Sequence, residues 1–395
     1  MTLHTPATEL HACTIVADAA ARRTPLALVG SGTKAELGRP AQSEATLSSS
    51  ALTGITLYEP AELVIAARAG TPVSEVVRTL ANKGQQLPFE PADHRVLLGS
   101  TGEPTIGAVV AANISGPRRI MAGAARDSLI GVRFVNGRGE AIKSGGRVMK
   151  NVAGLDLVKL MAGSWGTLGF LTEVTFKVLP IPERSATLVF PGLDDGRAVE
   201  ALCAAVGSPF ETSGAAHLPA AVAGGGARTL IRLEGFSTSV EYRLGELRRL
   251  LRAYGAPAIV EGEAAEVLWR AVRDVTPLTL PRDTAVWRVS TAPTHGPALA
   301  AEIARAADAR WFYDWSGGLV WVATDAKGDA AAAAVRTAVK RHGGNATLVR
   351  APAEVRAAVD VFEPLPEPLM RITSDIKAAF DPAGVLNPGR MYAGV

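Results

Sequence analysis

The sequence predicts an α+β protein with two domains, and three observations lead to this prediction. The chain has 395 residues, more than a single hydrophobic core usually holds. In the first half, three glycine-rich tracts each follow a stretch of β-forming residues. After Pro180-Ile181-Pro182, strand-like and helix-like segments follow one another in a pattern typical of an antiparallel sheet covered by helices on one face. We therefore expect a first domain over residues 1–182 and a second, cap-like domain over 183–364.

The elements of the first domain follow from apolar spacing and turn residues. Strands are predicted over 25–29, 55–58, 63–69, 129–136, 140–143 and 170–179. Helices are predicted over 7–21 and from Pro72 to Asn82, with a tightly packed helical turn over 107–113. The buried face of the helix that begins at Pro72 is predicted to hold Val73, Val76, Val77 and Leu80. Asn136-Gly137 is a strong hairpin signal between two of the strands.

The second domain is predicted from the same kinds of pattern. Its strands are expected over 228–235, 285–292 and 310–324. Its helices are expected over 239–254, 263–273, 297–309 and 330–342. A further helix is expected over 367–380, after the second domain, and no internal repeat is visible in the sequence.

Composition and charge exclude several classes of protein. Charged residues make up 20% of the chain and hydrophobic residues 48%, a globular balance. The net charge of +3 comes without a stripe of basic and aromatic residues, so we expect no nucleic-acid partner. Two cysteines, Cys13 and Cys203, exclude a disulfide framework and an iron–sulfur cluster held by this chain's own thiolates. No secretory signal or membrane-spanning stretch is visible, so we expect a cytoplasmic protein.

The glycine tracts predict a ligand. The first tract (Gly30–Lys34) offers a nest of backbone N–H groups for a pyrophosphate, with hydroxyl donors on Ser31 and Thr33. It matches neither a P-loop nor a dinucleotide-binding Gly-x-Gly-x-x-Gly turn, since residue 35 is Ala. Together with the second tract (Gly102–Gly123) and the third tract (Gly163–Gly169), it favours a long, phosphate-bearing ligand such as a dinucleotide. The alternative interpretation is that the three tracts are simple β-turns.

Four motifs in order resemble a known family. They are Gly30-Ser-Gly-Thr33; Thr105-Ile-Gly-Ala108 with Asn113-Ile-Ser-Gly116; Lys150-Asn-Val-Ala-Gly-Leu-Asp156 followed by Gly163-Ser-Trp-Gly-Thr-Leu-Gly169; and Asp381-Pro with Leu386-Asn-Pro-Gly389. The order resembles the vanillyl-alcohol-oxidase-type flavoproteins, which carry a p-cresol methylhydroxylase-type FAD-binding domain. The length and the third tract are similar to the FAD-binding E subunits of glycolate oxidases within that family. The resemblance implies a two-lobed FAD-binding domain to which a C-terminal segment, 365–395, returns.

The resemblance also implies which residues bind FAD. The expected cofactor-binding residues are Gly30, Ser31, Gly32, Thr33, Lys34, Ile106, Gly107, Ala108, Asn113, Ser115, Gly116, Gly163, Gly166, Thr167, Leu168 and Asn387. Of these, the first tract would hold the pyrophosphate and Asn387 would approach the flavin ring. Some family members attach FAD to a histidine in the first loop, where this chain has Thr33 and Lys34. We therefore expect non-covalent FAD.

Catalytic residues are harder to predict. Relatives place several histidines around a divalent metal, whereas this chain has only His342-Gly-Gly-Asn345 and the isolated His217 and His295, so we expect no metal. Strand alternation places Arg232 and Arg288 on polar faces, where either could bind a carboxylate or simply face solvent. These two arginines and His342 are the candidate catalytic residues.

The resemblance implies a subunit of a dehydrogenase complex that oxidises a small 2-hydroxy acid such as glycolate. Its implied partners are a homologous, larger flavin subunit and an iron–sulfur subunit, through which it would be peripheral at the inner membrane. Because the histidine set is missing, a non-catalytic FAD-binding subunit is the main alternative. A stand-alone sugar or alditol oxidase is a weaker one, since those relatives commonly carry the covalent histidine.

Overall fold

The computed structural model describes residues 2–146 and 154–395. The strands are β1 Thr2–His4, β2 Leu26–Val29, β3 Ala45–Ser48, β4 Ile55–Glu59, β5 Val64–Arg68, β6 Gln85–Gln86, β7 Leu129–Val135, β8 Ala141–Gly145, β9 Phe170–Lys177, β10 Leu179–Pro180, β11 Arg184–Pro191, β12 Thr212–Leu218, β13 Arg228–Gly235, β14 Ala258–Glu261, β15 Thr284–Ser290, β16 Ala309–Asp314, β17 Leu319–Asp325 and β18 Asn345–Arg350. The helices are α1 Glu9–Arg22, α2 Val73–Ala81, α3 Arg95–Leu98, α4 Ile106–Ala112, α5 Arg119–Ala122, α6 Ala125–Ser128, α7 Leu157–Met161, α8 Asp195–Val206, α9 Ala220–Ala223, α10 Ser237–Leu250, α11 Gly262–Arg273, α12 Gly296–Ala306, α13 Ala332–His342, α14 Ala353–Ala358 and α15 Glu367–Phe380.

The chain divides into two compact units. Unit 1 comprises residues 1–115, 123–181 and 364–395, and unit 2 comprises residues 116–122 and 182–363. The division expected from the sequence assigned residues 116–122, inside the second tract, to the first domain. In the structure these residues pack with unit 2, where α5 lies against β12.

Unit 1 contains the sheets that position the glycine tracts. Its larger sheet has the strand order β4-β5-β9-β7-β8 and is antiparallel, while a parallel sheet has the order β1-β3-β2. Helices α2 and α4 bury Val76, Leu80 and Val110 in the core beside the larger sheet. The prediction that Val77 shares this face is wrong, because its side chain is 46% exposed. Adjacent helical side chains differ in direction by about 100°, and with Val76 turned into the core, Val77 lies at the exposed edge of the apolar stripe.

The last helix belongs to unit 1. The sequence predicted a helix over 367–380, and α15 has these bounds. Near its end, the Lys377 ammonium lies 2.7 Å from the Asp381 carboxylate, and both side chains are buried. This ion pair fixes the start of the chain segment that returns to β2, where Asn387 N–H donates to the Leu26 carbonyl at 3.0 Å.

Unit 2 is built on one eight-stranded sheet. Its order is β14-β11-β13-β12-β16-β17-β15-β18, and all of its strand pairs are antiparallel. Apart from the four-residue helix α9, each half of the sheet has the chain order strand–helix–strand–strand–helix–strand, and the two halves meet at β12 and β16 through the pair His217 and Tyr313. The repeat is therefore one of topology, which the sequence did not show.

The sequence predicted that the helices of unit 2 lie on one face of the sheet, and this prediction is wrong, because helices lie on both faces. Helices α8 and α10 cover the face that carries Leu188 and Ile231. Trp269 of α11 lies on the other face, where its indole N–H donates to the Thr187 hydroxyl at 2.9 Å. Thr187 pairs with Arg232 in the sheet, so the polar face of β13 is covered. Among all described residues, no helix has the length and apolar character needed to cross a membrane.

Candidate functional site

The first tract leaves β2 along a path that only glycine permits at two positions. A Cβ on Gly30 would lie 2.1 Å from the Thr105 hydroxyl oxygen, so the backbone passes directly against the residue before α4. Gly32 has a φ of +87°, and nothing lies within 4 Å of the position of its Cβ. The tract therefore presents bare backbone to open space beside the end of β2, as a ligand-binding turn requires.

The second tract packs a short helix against the larger sheet. A Cβ on Gly107 would lie 2.6 Å from Ala69 Cβ, and Gly107 N–H donates to the Ala69 carbonyl at 2.8 Å. This contact draws α4 close to the end of β5. The Ile106 side chain is fully buried in the core, so its side chain does not reach a ligand.

Two polar residues of the second tract hold its own loop. The Asn113 side-chain oxygen accepts a hydrogen bond from Arg126 N–H at 3.0 Å, and the Ser115 hydroxyl accepts one from Ala125 N–H at 2.9 Å. Asn113 itself ends α4 in the left-handed region, with a φ of +49°. These two side chains stabilise the backbone around the tract. Gly116 belongs to unit 2, where its carbonyl accepts from the Trp315 indole N–H at 3.2 Å.

The third tract runs along the end of α4. Gly163 N–H donates to the Val110 carbonyl at 3.0 Å, and Trp165 N–H donates to the Ala111 carbonyl at 2.9 Å. Gly166 has a φ of +73°, and a Cβ there would lie 2.7 Å from the Asn387 amide nitrogen. The second and third tracts are thus joined side by side. Residues 150–153 of the motif that precedes the third tract lie outside the described residues.

Asn387 joins the first and third tracts. Its side-chain oxygen accepts from Leu28 N–H at 2.8 Å, and its amide donates to the Trp165 carbonyl at 2.7 Å. The residue is 5% exposed and also borders the pocket described next. Both ends of its amide are therefore engaged by backbone, which assigns Asn387 a framework role beside any contact with a ligand.

One pocket collects residues from all three tracts and from the tail. It contains about 730 Å³ of empty space, part of it continuous with solvent. The expected residues that line it are Gly30, Ser31, Gly32, Thr33, Lys34, Gly107, Ala108, Gly166 and Asn387. Expected residues that do not line it are Ile106, Asn113, Ser115, Gly116, Gly163, Thr167 and Leu168.

Sequence reasoning missed several lining residues. They are Leu28, Val29, Ala35, Ser49, Ala69, Ala111, Ala112, Trp165, Gly169, Phe170, Leu171 and Arg390. Most are small or apolar residues at strand ends and on α4, a signal too common to distinguish from core packing. Arg390 directly follows the Asn387-Pro388-Gly389 motif, and this position next to a family motif could have identified it as a lining residue.

The charged residues that line the pocket are Lys34 and Arg390, both cations. Burial lowers the pKa of the Lys34 ammonium to about 8; the Asp93 carboxylate opposes this shift and Arg95 adds to it. A half-buried lysine with a lowered pKa gains from an anionic ligand. The buried Thr105 hydroxyl beside Gly30 has no hydrogen-bond partner among the described residues. Bare glycine backbone, two cations and this hydroxyl fit a pyrophosphate, and the alanine wall of α4 fits a flat ring.

The candidate catalytic residues lie in unit 2 and differ in their surroundings. Arg232 is 4% exposed, lies 3.5 Å from the Glu234 carboxylate and stacks 4.6 Å from the centre of the Trp269 ring. Its Nε also donates to the Ser213 hydroxyl at 3.2 Å. These partners already engage the guanidinium of Arg232, so we do not retain it as a substrate ligand.

Arg288 and His342 are partly buried. The Arg288 guanidinium lies 5.0 Å from the Trp315 ring centre, and Arg119 lies over the same ring at 4.6 Å. Burial, and then the neighbouring Arg119, lower the pKa of Arg288 to about 10, and the Asp314 carboxylate opposes this shift. The His342 imidazole lies 2.9 Å from the Glu302 carboxylate. Within the described ranges, no group of three or more His, Cys, Asp or Glu side chains could hold a metal ion.

Comparison with known proteins places these features in a family. A family model described as an FAD binding domain matches residues 3–145. The chain is 35% identical over 371 residues to the glycolate oxidase subunit GlcE of Escherichia coli, covering 94% of this chain and 93% of that protein. It is 32% identical over 168 residues to the glycolate oxidase subunit GlcD of Bacillus subtilis, covering 42% of this chain and 34% of that protein.

Solved structures share the fold at low sequence identity. A 4-ethylphenol oxidase from Gulosibacter chungangensis is similar with a TM-score of 0.73 and 13% identity, over 99% of this chain and 89% of that one. A p-cresol methylhydroxylase is similar with a TM-score of 0.70 and 14% identity, over 98% and 88%. The expected two-lobed α+β fold is confirmed, and FAD is confirmed as the cofactor.

Proposed function

This chain belongs to the family of the FAD-binding glycolate oxidase subunit GlcE, and from that premise we propose that it is the FAD-binding subunit of a complex that oxidises glycolate or a related small 2-hydroxy acid. The observation that carries the proposal is the 35% identity over 94% of the chain to a relative named for this activity and as a subunit. The implied partners are a homologous, larger flavin subunit and an iron–sulfur subunit.

In this proposal, the first tract and Lys34 hold the cofactor pyrophosphate. The second and third tracts supply a slot of small residues for the ring system, in which Ala108 and Gly166 keep the walls free of bulky side chains. When bound, FAD would accept the hydride from the α-carbon of the 2-hydroxy acid, while a base would take the hydroxyl proton, and the acid would become a 2-oxo acid. Cys13 and Cys203 cannot hold an iron–sulfur cluster, so the partner must carry the electrons onward.

Arg288 is the residue we propose for the substrate carboxylate. None of the described hydrogen bonds or ion pairs uses its guanidinium, which lies over the Trp315 ring. A second guanidinium, that of Arg119, lies over the same indole. Two adjacent cations repel each other, and a carboxylate relieves that repulsion. Arg288→Ala is therefore expected to raise KM for the hydroxy acid with little change in FAD content.

A second candidate function is favoured by one observation. Among the described residues, those that line the pocket formed by the three tracts include no histidine, aspartate or glutamate. A positioned general base is typically worth about 10²–10⁴-fold in rate. A chain without one would bind FAD as an electron-transfer or structural subunit, while its homologous partner carries out the substrate chemistry.

Anaerobic titration separates the two candidates. The purified chain, alone and co-expressed with its partner subunits, is mixed with glycolate or D-lactate while flavin absorbance is followed. Bleaching by the isolated chain at the rate of the complex supports a catalytic subunit. Bleaching that requires the partners supports the non-catalytic alternative. If neither preparation bleaches with any small 2-hydroxy acid, the proposal is wrong.

A further inference from the structure

We propose that Arg390 is a positioning residue of the cofactor site. It holds the turn of residues 34–39, which carries Lys34, against the pocket. The inference rests on the proposed contact between Lys34 and the cofactor pyrophosphate. It assigns to the segment after α15 a part in FAD binding that goes beyond packing against the first domain.

The Arg390 guanidinium donates to three carbonyls of the turn that follows the first tract. These hydrogen bonds reach the carbonyls of Ala35 at 2.8 Å, Arg39 at 3.2 Å and Lys34 at 3.4 Å. In return, Arg39 N–H donates to the Arg390 carbonyl at 2.9 Å. The turn and the tail are therefore held to each other from both sides, and the carbonyl of Lys34 is one of the groups held.

The tail that carries Arg390 is itself anchored. Asn387 spans from Leu28 to Trp165, as described above. Upstream, the buried Lys377 ammonium donates to the Thr167 carbonyl at 2.8 Å and to the Leu386 carbonyl at 2.7 Å. The backbone that carries Arg390 is therefore held in place, and the hydrogen bonds of Arg390 hold the turn to that backbone.

Backbone hydrogen bonds within the turn add to those that Arg390 makes. Within the turn, Ala35 N–H donates to the Gly32 carbonyl at 3.0 Å and Leu37 N–H donates to the Lys34 carbonyl at 3.1 Å. Glu36 and Ala35 are exposed, and Lys34 is half-buried at the pocket wall. Without the guanidinium, FAD binding must itself order this segment. The free energy that this ordering costs lowers the affinity for the cofactor.

A double-mutant cycle tests the proposal. FAD dissociation constants are measured by fluorescence titration of the flavin-free full chain for the original protein, Arg390→Ala, Lys34→Ala and the double variant. We expect each single change to weaken binding by about tenfold or more. If Arg390 acts through the Lys34 turn, Arg390→Ala adds less than about threefold in the Lys34→Ala background.

A substitution in the turn itself also disturbs the contact between the turn and Arg390. Gly38 has a φ of +79°, and a Cβ there would lie 3.1 Å from the Arg390 Nε atom and carbonyl oxygen. Gly38→Ala is therefore expected to weaken FAD binding, with no further loss in the Arg390→Ala background. Gly54→Ala is the matched control, because Gly54 has a φ of +109° in the same unit with nothing within 4 Å of its Cβ position. The control should lose stability without losing FAD affinity.

The outcomes are distinguishable. Unchanged affinity in Lys34→Ala overturns the contact between Lys34 and the pyrophosphate, and with it the basis of this inference. Weakened binding in Lys34→Ala with unchanged affinity in Arg390→Ala overturns the inference alone. Losses that add in full show that Arg390 acts independently of the turn, which also overturns it. If Arg390→Ala does not fold, the Gly38→Ala comparison decides.

Discussion

FAD affinity should depend on pH through Lys34. In the free protein, burial lowers the pKa of this ammonium from 10.5 to about 8. A pyrophosphate beside it favours the charged form, so the pKa of Lys34 must be higher in the complex than in the free protein. Below pH 8 the lysine is charged in both states, and affinity is independent of this group. Above pH 8, binding takes up a proton, so affinity falls as pH rises.

The magnitude follows from the two pKa values. Each pH unit between the free and the bound pKa weakens binding by up to about tenfold, or about 1.4 kcal/mol. If the complex restores the value of 10.5 of an ordinary lysine, the two pKa values differ by about 2.5 units, and the total loss of affinity is at most about three-hundredfold. Between pH 7 and pH 9.5 we therefore expect the dissociation constant of FAD to rise by at least tenfold.

The assay is a fluorescence titration of flavin-free protein with FAD at several pH values and constant ionic strength. Lys34→Met, which keeps the aliphatic stem but not the charge, should bind more weakly at pH 7 and show a flat profile. A flat profile in the unaltered chain, or the same slope in Lys34→Met, would refute the reasoning.

Three further predictions follow from the described contacts. Gly32→Val and Gly166→Val should lower the flavin content per chain, since both glycines have positive φ at the pocket wall; Gly54→Val, with similar backbone strain and no pocket contact, should retain flavin in the same absorbance measurement. Lys377→Met should destabilise the chain by about 3–5 kcal/mol, because it leaves the buried Asp381 carboxylate without its cation; denaturant unfolding checks this, and adding Asp381→Asn should recover part of the loss. Acid precipitation should release yellow flavin to the supernatant, and colour that stays in the pellet would contradict non-covalent binding.

Local signals in the sequence determined much of unit 1. The bounds of α15, the hairpin at Asn136-Gly137 and the open glycine turn of the first tract were all predictable. In the hairpin, the Asn136 side-chain oxygen accepts from the backbone N–H groups of Arg138 at 2.9 Å and Glu140 at 3.0 Å. Such features depend on residues within a few positions of one another. Their physical causes, helix periodicity, turn chemistry and the freedom of glycine, are therefore legible in the sequence.

Only the tertiary structure decided the features that join distant segments. Strand β12 is buried along its whole length between β13 and β16, so it has no polar alternation that could have predicted it. Arg232 has the alternation of an exposed strand residue, yet Trp269 and Glu234 bury it. Arg390 reached the pocket because Asn387 and Lys377 hold the tail beside the first tract, more than 300 residues earlier in the chain. The energy of such contacts comes from burial and hydrogen bonding between partners that the chain brings together only when it folds, so no local pattern records them.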